Sequence, residues 1–200
     1  MCKNMPPLEL AIQFHGHICP GLLMGVRAAE FALEKLSVDP DVDEELVAVV
    51  ETDSCGVDAI QSILGCTFGK GNLIFRDFGK NVYTIGSREK NQAIRIAQRY
   101  GVKFNPDWPR YKELSELGSP TQEELQEKES ILGAMFEKVM TMPFEELFKW
   151  EEVAFEMPGK AQIVETVQCQ KCGEGVMKTR TVSSDGGLVC LSCAAASEVA

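Results

Sequence analysis

The sequence predicts a mixed helix-and-sheet domain followed by a small, metal-stabilised C-terminal unit. Apolar residues recur at helical spacing in some stretches and form short unbroken runs, typical of buried strands, in others. Two Cys-x-x-Cys pairs, "CQKC" (169–172) and "CLSC" (190–193), lie near the C-terminus. A chain of 200 residues accommodates one ordinary domain plus such an appendage. With "EMPGKAQ" (156–162) as linker, we expect a core domain over 1–157 and a zinc ribbon over 163–200.

The first half of the chain alternates helical and extended patterns. Leu22, Val26, Ala29, Leu33 and Leu36 recur at helical spacing, and Pro20 suits a first helical position, which makes Cys19 the expected N-cap. The predicted elements are a helix over 8–14, a helix from Pro20, a buried strand over 45–52, a helix within 53–66, and two strands over 72–78 and 81–87 paired around a turn.

The second half is predicted to be mainly helical. The predicted elements are an amphipathic helix over 88–101, a connection over 104–118, a long helix with a capping-box start at Ser119 to Gln122 and Pro120 at its first position, and a helical piece over 144–150 after Pro143.

Charge and hydropathy exclude several classes of protein. The formal net charge of −10 disfavours generic binding to phosphate backbones, although it leaves a local contact by the ribbon open. No apolar run is long enough for a transmembrane helix, and the N-terminus lacks the pattern of a signal peptide. We therefore expect a cytoplasmic protein that does not enter membranes.

The four C-terminal cysteines predict a structural zinc site. In each tight turn the two thiolates converge, and two such turns place four sulfurs in a tetrahedron. Residues 173–189 separate the pairs, a spacing within the zinc-ribbon range. Cys169, Cys172, Cys190 and Cys193 are thus the expected ligands, and the metal would supply folding energy that so short a segment lacks. Disulfides and an iron–sulfur cluster are the alternatives.

A second cluster lies near the N-terminus, in "HGHICPG" (15–21). His15 and His17 are the only histidines of the chain, and Cys19 follows two positions after His17. Cys55 lies where a predicted strand passes into a helix, so both thiols are expected at helix N-termini, which favour thiolate. His17, Cys19 and Cys55 would suit zinc or a similar metal and leave a fourth position open.

The alternative is that these side chains only fill a turn and a core. If a metal is present, Asp53 is the candidate general base or orienting carboxylate. "GCTFGKGN" (65–72) lacks the spacing of a Walker phosphate loop. Lys70 within it is either a cation for an anionic substrate or a solvated loop lysine.

Two blocks of this sequence resemble the FmdE family, which is named after a component of formylmethanofuran dehydrogenase. They are "FHGHICPGLLMGVRAA" (14–29) and "ETDSCGVDAIQSILGCTFGKGNLIFRDFGK" (51–80), and the C-terminal ribbon matches as well. With the intervening elements the core resemblance extends over roughly 5–150. It implies an α+β core that forms dimers. It also implies a site in which His17, Cys19 and Cys55 match the family motif, with a group of further residues in the same blocks: His15, Asp53, Cys66 and Lys70.

The resemblance further implies a role accessory to a formylmethanofuran or other molybdopterin-type dehydrogenase, or to one-carbon metabolism. Dehydrogenase subunits and a small-molecule substrate are then the expected partners. Nothing in the sequence resembles the large pterin-binding component, so this chain alone is not the whole dehydrogenase. The alternative is a non-enzymatic, metal-dependent regulatory or binding module whose ribbon contacts a protein or nucleic acid.

Overall fold

The structure, a computed structural model, describes residues 5–104, 107–184 and 186–198. It divides into two compact units, Met1–Lys160 and Ala161–Ala200. Each contains both helices and strands, so the predicted mixed helix-and-sheet fold is confirmed.

The first unit contains six helices and five strands among the described residues. In chain order they are α1 (Pro7–His15), α2 (Pro20–Leu36), β1 (Leu46–Val50), α3 (Gly56–Leu64), β2 (Leu73–Phe75), β3 (Val82–Ser87), β4 (Gln92–Gln98), α4 (Trp108–Glu116), α5 (Gln122–Thr141), α6 (Phe144–Leu147) and β5 (Phe148–Glu152).

The second unit is built from short strands and one helix. Its elements are β6 (Thr166–Gln168), β7 (Gly175–Met177), a 3-10 turn (Lys178–Arg180), β8 (Thr181–Ser184), β9 (Gly187–Cys190) and α7 (Leu191–Glu198). The strands β6 and β7 form one antiparallel pair, and β8 and β9 form another.

A five-stranded sheet of order β2-β1-β3-β4-β5 organises the first unit. Strand β1 pairs in parallel with β2, and the pairs β1–β3, β3–β4 and β4–β5 are antiparallel. Helix α3 makes the crossover between the parallel strands β1 and β2, as such a connection requires. The residues between β1 and α3 therefore lie at the carboxyl end of a buried strand.

The hydrophobic core lies between one face of the sheet and the helices. Leu46, Ala48 and Val50 on β1 and Ile94 and Ile96 on β4 belong to this cluster and are at most 2% exposed. Their alternation along each strand is the period-two pattern of a sheet face. Full burial of a large aliphatic side chain contributes about 1.5–3 kcal/mol, so this face contributes strongly to the stability that holds the site.

Helices α2 and α3 approach closely because both contribute a glycine at their crossing. A β-carbon placed on Gly25 would lie only 2.3 Å from the carbonyl oxygen of Gly56. A β-carbon on Gly56 would lie 2.3 Å from the hydroxyl of the buried Tyr83. The two small residues therefore let the first turns of α2 and α3 pack side by side.

Arg27 ties α2 to the end of α5. Its guanidinium donates hydrogen bonds to the carbonyl oxygens of Val139 (2.6 Å), Met140 (2.8 Å) and Met142 (2.9 Å). These carbonyls lack partners within α5 because they belong to its last turn. The cation also complements the negative end of the helix dipole.

Two predictions for the sheet were wrong. Residues 92–98 form strand β4 rather than part of a helix, since Ile94 and Ile96 face the core while Arg95 faces the other side and reaches Glu51 at 3.4 Å. The strands β2 and β3 do not pair with each other, because both pair with β1, on opposite sides.

The second half of the core also differs from expectation in three places. Helix α4 lies within the predicted connection 104–118. The capping box that opens α5 is formed by Thr121 and Glu124, two residues later than predicted. Strand β5 begins at Phe148, so only the first part of the expected helical piece 144–150 is helical.

Candidate metal centre

Three metal-ligating side chains meet where α1 leads into α2. Helix α1 ends at His15, and Gly16 caps it with a positive φ of 90°. This left-handed residue turns the chain sharply, so His17 returns beside His15 and their ring centroids lie 4.5 Å apart. One ligand atom each of His15, His17 and Cys19 lies within 4.8 Å of the others.

Cys19 is the N-cap of α2, as the sequence predicted. Its backbone is extended, and its Sγ accepts a hydrogen bond from the backbone N–H of Leu22 at 3.4 Å. Pro20 occupies the first turn, where the lack of an N–H costs nothing. A sulfur in this position faces the positive end of the helix dipole, which stabilises the thiolate that a metal needs.

A carboxylate on α3 fixes the orientation of His15. The Nδ1 atom of His15 lies 2.6 Å from Oδ2 of Asp58. An ionised carboxylate only accepts hydrogen bonds, so Nδ1 is the donor, and in the neutral ring this arrangement leaves the lone pair on Nε2. This Nε2 lies 3.8 Å from Sγ of Cys19. The arrangement resembles the carboxylate–histidine pairs that orient metal-ligating imidazoles.

Cys55 lies against this cluster, although the group of three donors does not include it. It is the N-cap of α3, and its thiol lies near that of Cys19. Partial burial, followed by the contact with Cys19, raises the pKa of the Cys55 thiol. A β-carbon on Gly21 would lie 3.3 Å from Cβ of Cys55, so the close approach of α2 and α3 brings the two thiols together.

The residues present fit a zinc-class ion. Bonds of about 2.0–2.1 Å to nitrogen and about 2.3 Å to sulfur place two ligands of one tetrahedral ion roughly 3.5 Å apart. The 3.8 Å between Nε2 of His15 and Sγ of Cys19 is close to this spacing. Imidazole and thiolate together suit zinc and related transition metals rather than magnesium or calcium.

Two of the residues expected at the core site lie apart from these donors. The side chain of Asp53 is exposed, two residues before Cys55. Lys70 forms an ion pair with the buried carboxylate of Asp41, which also accepts a hydrogen bond from Asn72. Asp41 binds through its backbone N–H to the last turn of α3, so this network lies at the opposite end of that helix from Cys55.

Cys66 belongs to the same distant network. It is fully buried, and burial raises the pKa of its thiol to about 12, with the charge of Asp41 acting in the same direction. Cys66 packs in the core near the end of α3.

The C-terminal unit assembles a second cluster. One sulfur atom each of Cys169, Cys172, Cys190 and Cys193 lies within 4.8 Å of the others. Cys169 follows β6, and Cys190 ends β9 next to Cys193 in the first turn of α7. Four converging thiols without another donor type match a closed structural zinc site.

Backbone N–H groups donate hydrogen bonds to two of these sulfurs, those of Cys169 and Cys190. The N–H of Cys190 donates to Sγ of Cys169 at 3.3 Å, and the N–H of Cys193 donates to Sγ of Cys190 at 3.4 Å. Hydrogen bonds from the backbone N–H groups of Cys172 and Cys190 lower the pKa of Cys169 to about 6. Metal ligands commonly accept hydrogen bonds of this kind from the groups around them.

Comparison with known families gives both units an assignment. The family described as "FmdE, Molybdenum formylmethanofuran dehydrogenase operon" matches residues 14–149, well over half of the chain. The chain belongs to the FmdE family. Residues 162–199 of this FmdE protein match the prokaryotic dksA/traR C4-type zinc finger, which includes all four C-terminal cysteines.

A curated relative of the FmdE chain comes from Archaeoglobus fulgidus. The chain is 37% identical over 198 residues to this relative, which is named a probable S-adenosyl-L-methionine-binding protein. The match covers 92% of this chain and 51% of the relative, so the chain spans about half the length of that curated relative.

A solved structure supports the fold. The crystal structure of an FmdE-like protein of the tungsten formylmethanofuran dehydrogenase type, from Syntrophus aciditrophicus, aligns with a TM-score of 0.59. The alignment covers 95% of this chain and 91% of that chain at 23% identity. Among the described residues of the FmdE protein, no helix is long and apolar enough to cross a membrane.

Sequence reasoning missed one residue of the FmdE core site, Asp58. The signal was present, because Asp58 follows Cys55 by three positions at the start of α3, and residues three apart on a helix share a face. Asp53 was predicted instead as the carboxylate of the site because it precedes Cys55 at the strand end. Asp58 is the carboxylate that reaches His15.

Proposed function

We infer that the core of this FmdE protein binds a zinc-class metal through His15, His17 and Cys19, with Cys55 as the adjacent thiol, and uses it on a small molecule. The observation that carries this proposal is the convergence of the three donors, with His15 already held by Asp58. Three protein donors at a partly exposed junction leave the fourth position of a tetrahedral ion open to a substrate, as in catalytic zinc sites.

Each residue has a separate task in this proposal. A bound metal would supply Lewis acidity and lower the pKa of a coordinated water. Asp58 holds the proton on Nδ1 of His15 and thereby keeps Nε2 available. Asp53, exposed on the approach to α3, is the candidate general base. The ion pair of Lys70 with Asp41 favours a structural role for Lys70 over contact with a substrate at this site.

The physiological role that we propose is accessory to a formylmethanofuran or other molybdopterin-type dehydrogenase, or to one-carbon metabolism. The family match to a dehydrogenase operon protein supports it. The proposal includes a cytoplasmic homodimer, the dehydrogenase subunits as partners, and zinc in the C-terminal C4 site. S-adenosyl-L-methionine is one small molecule to test, because the Archaeoglobus fulgidus relative is named for binding it.

Metal content of the purified full chain tests the proposal. Wild type is expected to hold about two metal ions per chain, one for each cluster. His15→Ala and His17→Ala should each remove the core ion, Cys55→Ser should weaken its binding, and Cys169→Ser should remove only the ribbon ion. Lys70→Ala is the control and should keep both ions. An unchanged metal count in both histidine variants would exclude the core site.

A non-enzymatic role is the second candidate function. The C4 zinc-finger match at 162–199 favours it, because such a unit can contact a protein or a nucleic acid. Its basic edge is small, since Lys178 is paired with Glu165 at 2.8 Å, and Arg180 lies nearby in the chain. The coordination number of the core ion discriminates the two. A core ion that accepts an added ligand such as azide supports the enzyme, whereas a saturated ion supports the regulatory module.

A further inference from the structure

A cavity of about 340 Å³ opens beside the start of α2. Its walls come from three parts of the core: the first residue of α2, the segment that leads into α4, and the inner side of α5. The lining residues are Pro20, Val102, Lys103, Phe104, Trp108 and Met135. Its size falls at the lower end of the range for small-molecule sites.

One residue of the cavity wall is the chain neighbour of a candidate metal donor. Pro20, in its wall, is the residue after Cys19. Consecutive Cα atoms are about 3.8 Å apart, so a ligand against Pro20 lies next to the residue that carries the metal-binding sulfur. The four candidate donors are not among the described lining residues, so a ligand in this cavity would lie beside the start of α2, one residue from Cys19.

The walls are apolar and aromatic with one positive charge. Val102, Phe104, Trp108 and Met135 offer carbon and ring surface, and Lys103 is the one charged residue among the described lining residues. Another cavity of similar size, on the sheet, is lined by Arg95, Arg99, Glu145, Lys149 and Glu151 among others, and so presents charges of both signs. Among four such cavities lined by described residues, only the one at Pro20 combines an aromatic wall with a single charged side chain, a cation.

Trp108 supplies a firm aromatic surface. Its ring stacks on Tyr111 one helical turn later, with centroids 4.9 Å apart and planes within 12°. Lys128 lies 5.5 Å from the Tyr111 ring centroid and supports this pair from α5. Trp108 itself remains 37% exposed, so part of the indole is open to a ligand. Ring-on-ring contact favours flat conjugated molecules over aliphatic ones.

We propose that this cavity is the substrate subsite of the core metal centre and binds an aromatic or heteroaromatic small molecule whose anionic group pairs with Lys103. The inference rests on the proposed function for the subsite role, while the binding itself stands on the cavity. A chain of net charge −10 repels anions at long range. The positive charge of Lys103 therefore has to offset this repulsion for an anionic ligand to bind here.

The test uses two fluorescent probes with the same aromatic frame. One is 1-anilinonaphthalene-8-sulfonate, which is anionic, and the other is N-phenyl-1-naphthylamine, which is neutral. Trp108 and Trp150 are the two tryptophans of the chain, and Trp150 lies elsewhere, with its ring 5.5 Å from that of Phe31. A Trp150→Phe background therefore makes Trp108 the sole reporter of binding in the cavity.

We expect both probes to quench Trp108 with saturation at one site. Lys103→Glu should weaken the sulfonate probe about tenfold or more, because a charge-assisted contact becomes a repulsion, and leave the neutral probe unchanged. Lys149→Glu makes the same change of net charge at the other cavity and should affect neither probe. Both lysines are exposed, so neither variant is expected to unfold the protein.

Three results would overturn the proposal: no quenching of Trp108, equal loss of both probes in Lys103→Glu, or equal weakening by Lys149→Glu. The same titrations in His15→Ala keep this inference separate from the metal proposal. If that variant and wild type both lack a core metal while the sulfonate probe still depends on Lys103, the cavity binds its ligand and the metal proposal fails. If the core metal is present and the sulfonate probe does not bind, the metal proposal stands and the cavity proposal fails.

Discussion

The Nδ1 atom of His15 lies 2.6 Å from Oδ2 of Asp58, although 43 residues separate them in the chain. The contact links the last residue of α1 to the first turn of α3. It leaves Nε2 of the same ring facing the sulfur of Cys19. The two nitrogens of one imidazole thus link α1 to α3 through Asp58 and to the N-cap of α2 through Cys19.

Replacement of Asp58 by Asn should weaken the core metal about 10–100-fold, the usual cost of losing an orienting carboxylate. An amide can still donate to or accept from the ring, but it no longer fixes the proton on Nδ1. Competition between the full chain and a zinc indicator measures the zinc affinity of the weaker of the two sites. Asp53→Asn is the matched control, and equal affinities in the two variants would argue against the orienting role of Asp58.

Removal of metal should unfold the C-terminal unit and spare the core. Structural zinc supplies about 10–16 kcal/mol of apparent binding free energy in small domains, more than such a unit gains from burial. We expect a strong chelator or Cys169→Ser to make residues 161–200 sensitive to protease while residues before the 156–162 linker stay resistant. The control Thr179→Ala, which lies outside the cysteine cluster, should be as resistant to protease as wild type. Cleavage within the core at the same rate would contradict this division.

Gly25→Ala should destabilise the core by about 1–3 kcal/mol, because the new methyl group meets the backbone of Gly56 rather than a flexible side chain. Gly133→Ala is the matched control on α5, where the added carbon meets nothing within 4 Å. It should stabilise by about 0.5–1 kcal/mol through helix propensity. Urea unfolding measures both. A Gly25→Ala variant as stable as wild type, or more stable, would show that the crossing of α2 and α3 tolerates a side chain.

Alkaline pH should destabilise the core through two buried acids. Burial raises the pKa of Cys66 from 9.0 to about 12 and that of Tyr83 from 10.0 to about 12. The folded state then holds protons that the unfolded state has lost, so this stability is complete below pH 9 and disappears as the pH rises towards 12. Unfolding midpoints in urea across this window should fall less steeply for Cys66→Ala than for wild type. Parallel slopes would mean that Cys66 titrates normally.

The parts of the fold that the sequence predicted depend on local chemistry. The Pro20 position and the cap by Cys19 follow from the preferences of a helix start, and β1 and α3 follow from apolar period. The parallel pairing of β2 with β1 did not follow, because pairing depends on contacts far apart in sequence. Strand β4 was missed since the alternation of Ile94 and Ile96 lies among charged residues that also suit a helix.

In the candidate site, too, neighbours in the chain were easier to predict than contacts between distant segments. His17 and Cys19 were predicted together because they are neighbours in the chain, and the structure places them in one cluster with His15. The contact of Cys55 with Cys19 depends on the packing of α2 on α3, which the two glycines permit. Asp58 required knowledge of which face of α3 meets α1. Such a contact is set by tertiary packing, so the spacing of Asp58 from Cys55 alone did not identify its partner.

The bonds of Arg27 also set an order of events during protein synthesis. The carbonyl groups that accept its hydrogen bonds lie 112–115 residues further along the chain. A ribosome adds about 5–20 residues per second, so these acceptors follow roughly 6–23 s after Arg27 itself. Helix α2 carries Cys19, yet its anchor is among the last parts of the core to be made. The hydrogen bonds that hold α2 to the end of α5 can thus form only after most of the core has been synthesised.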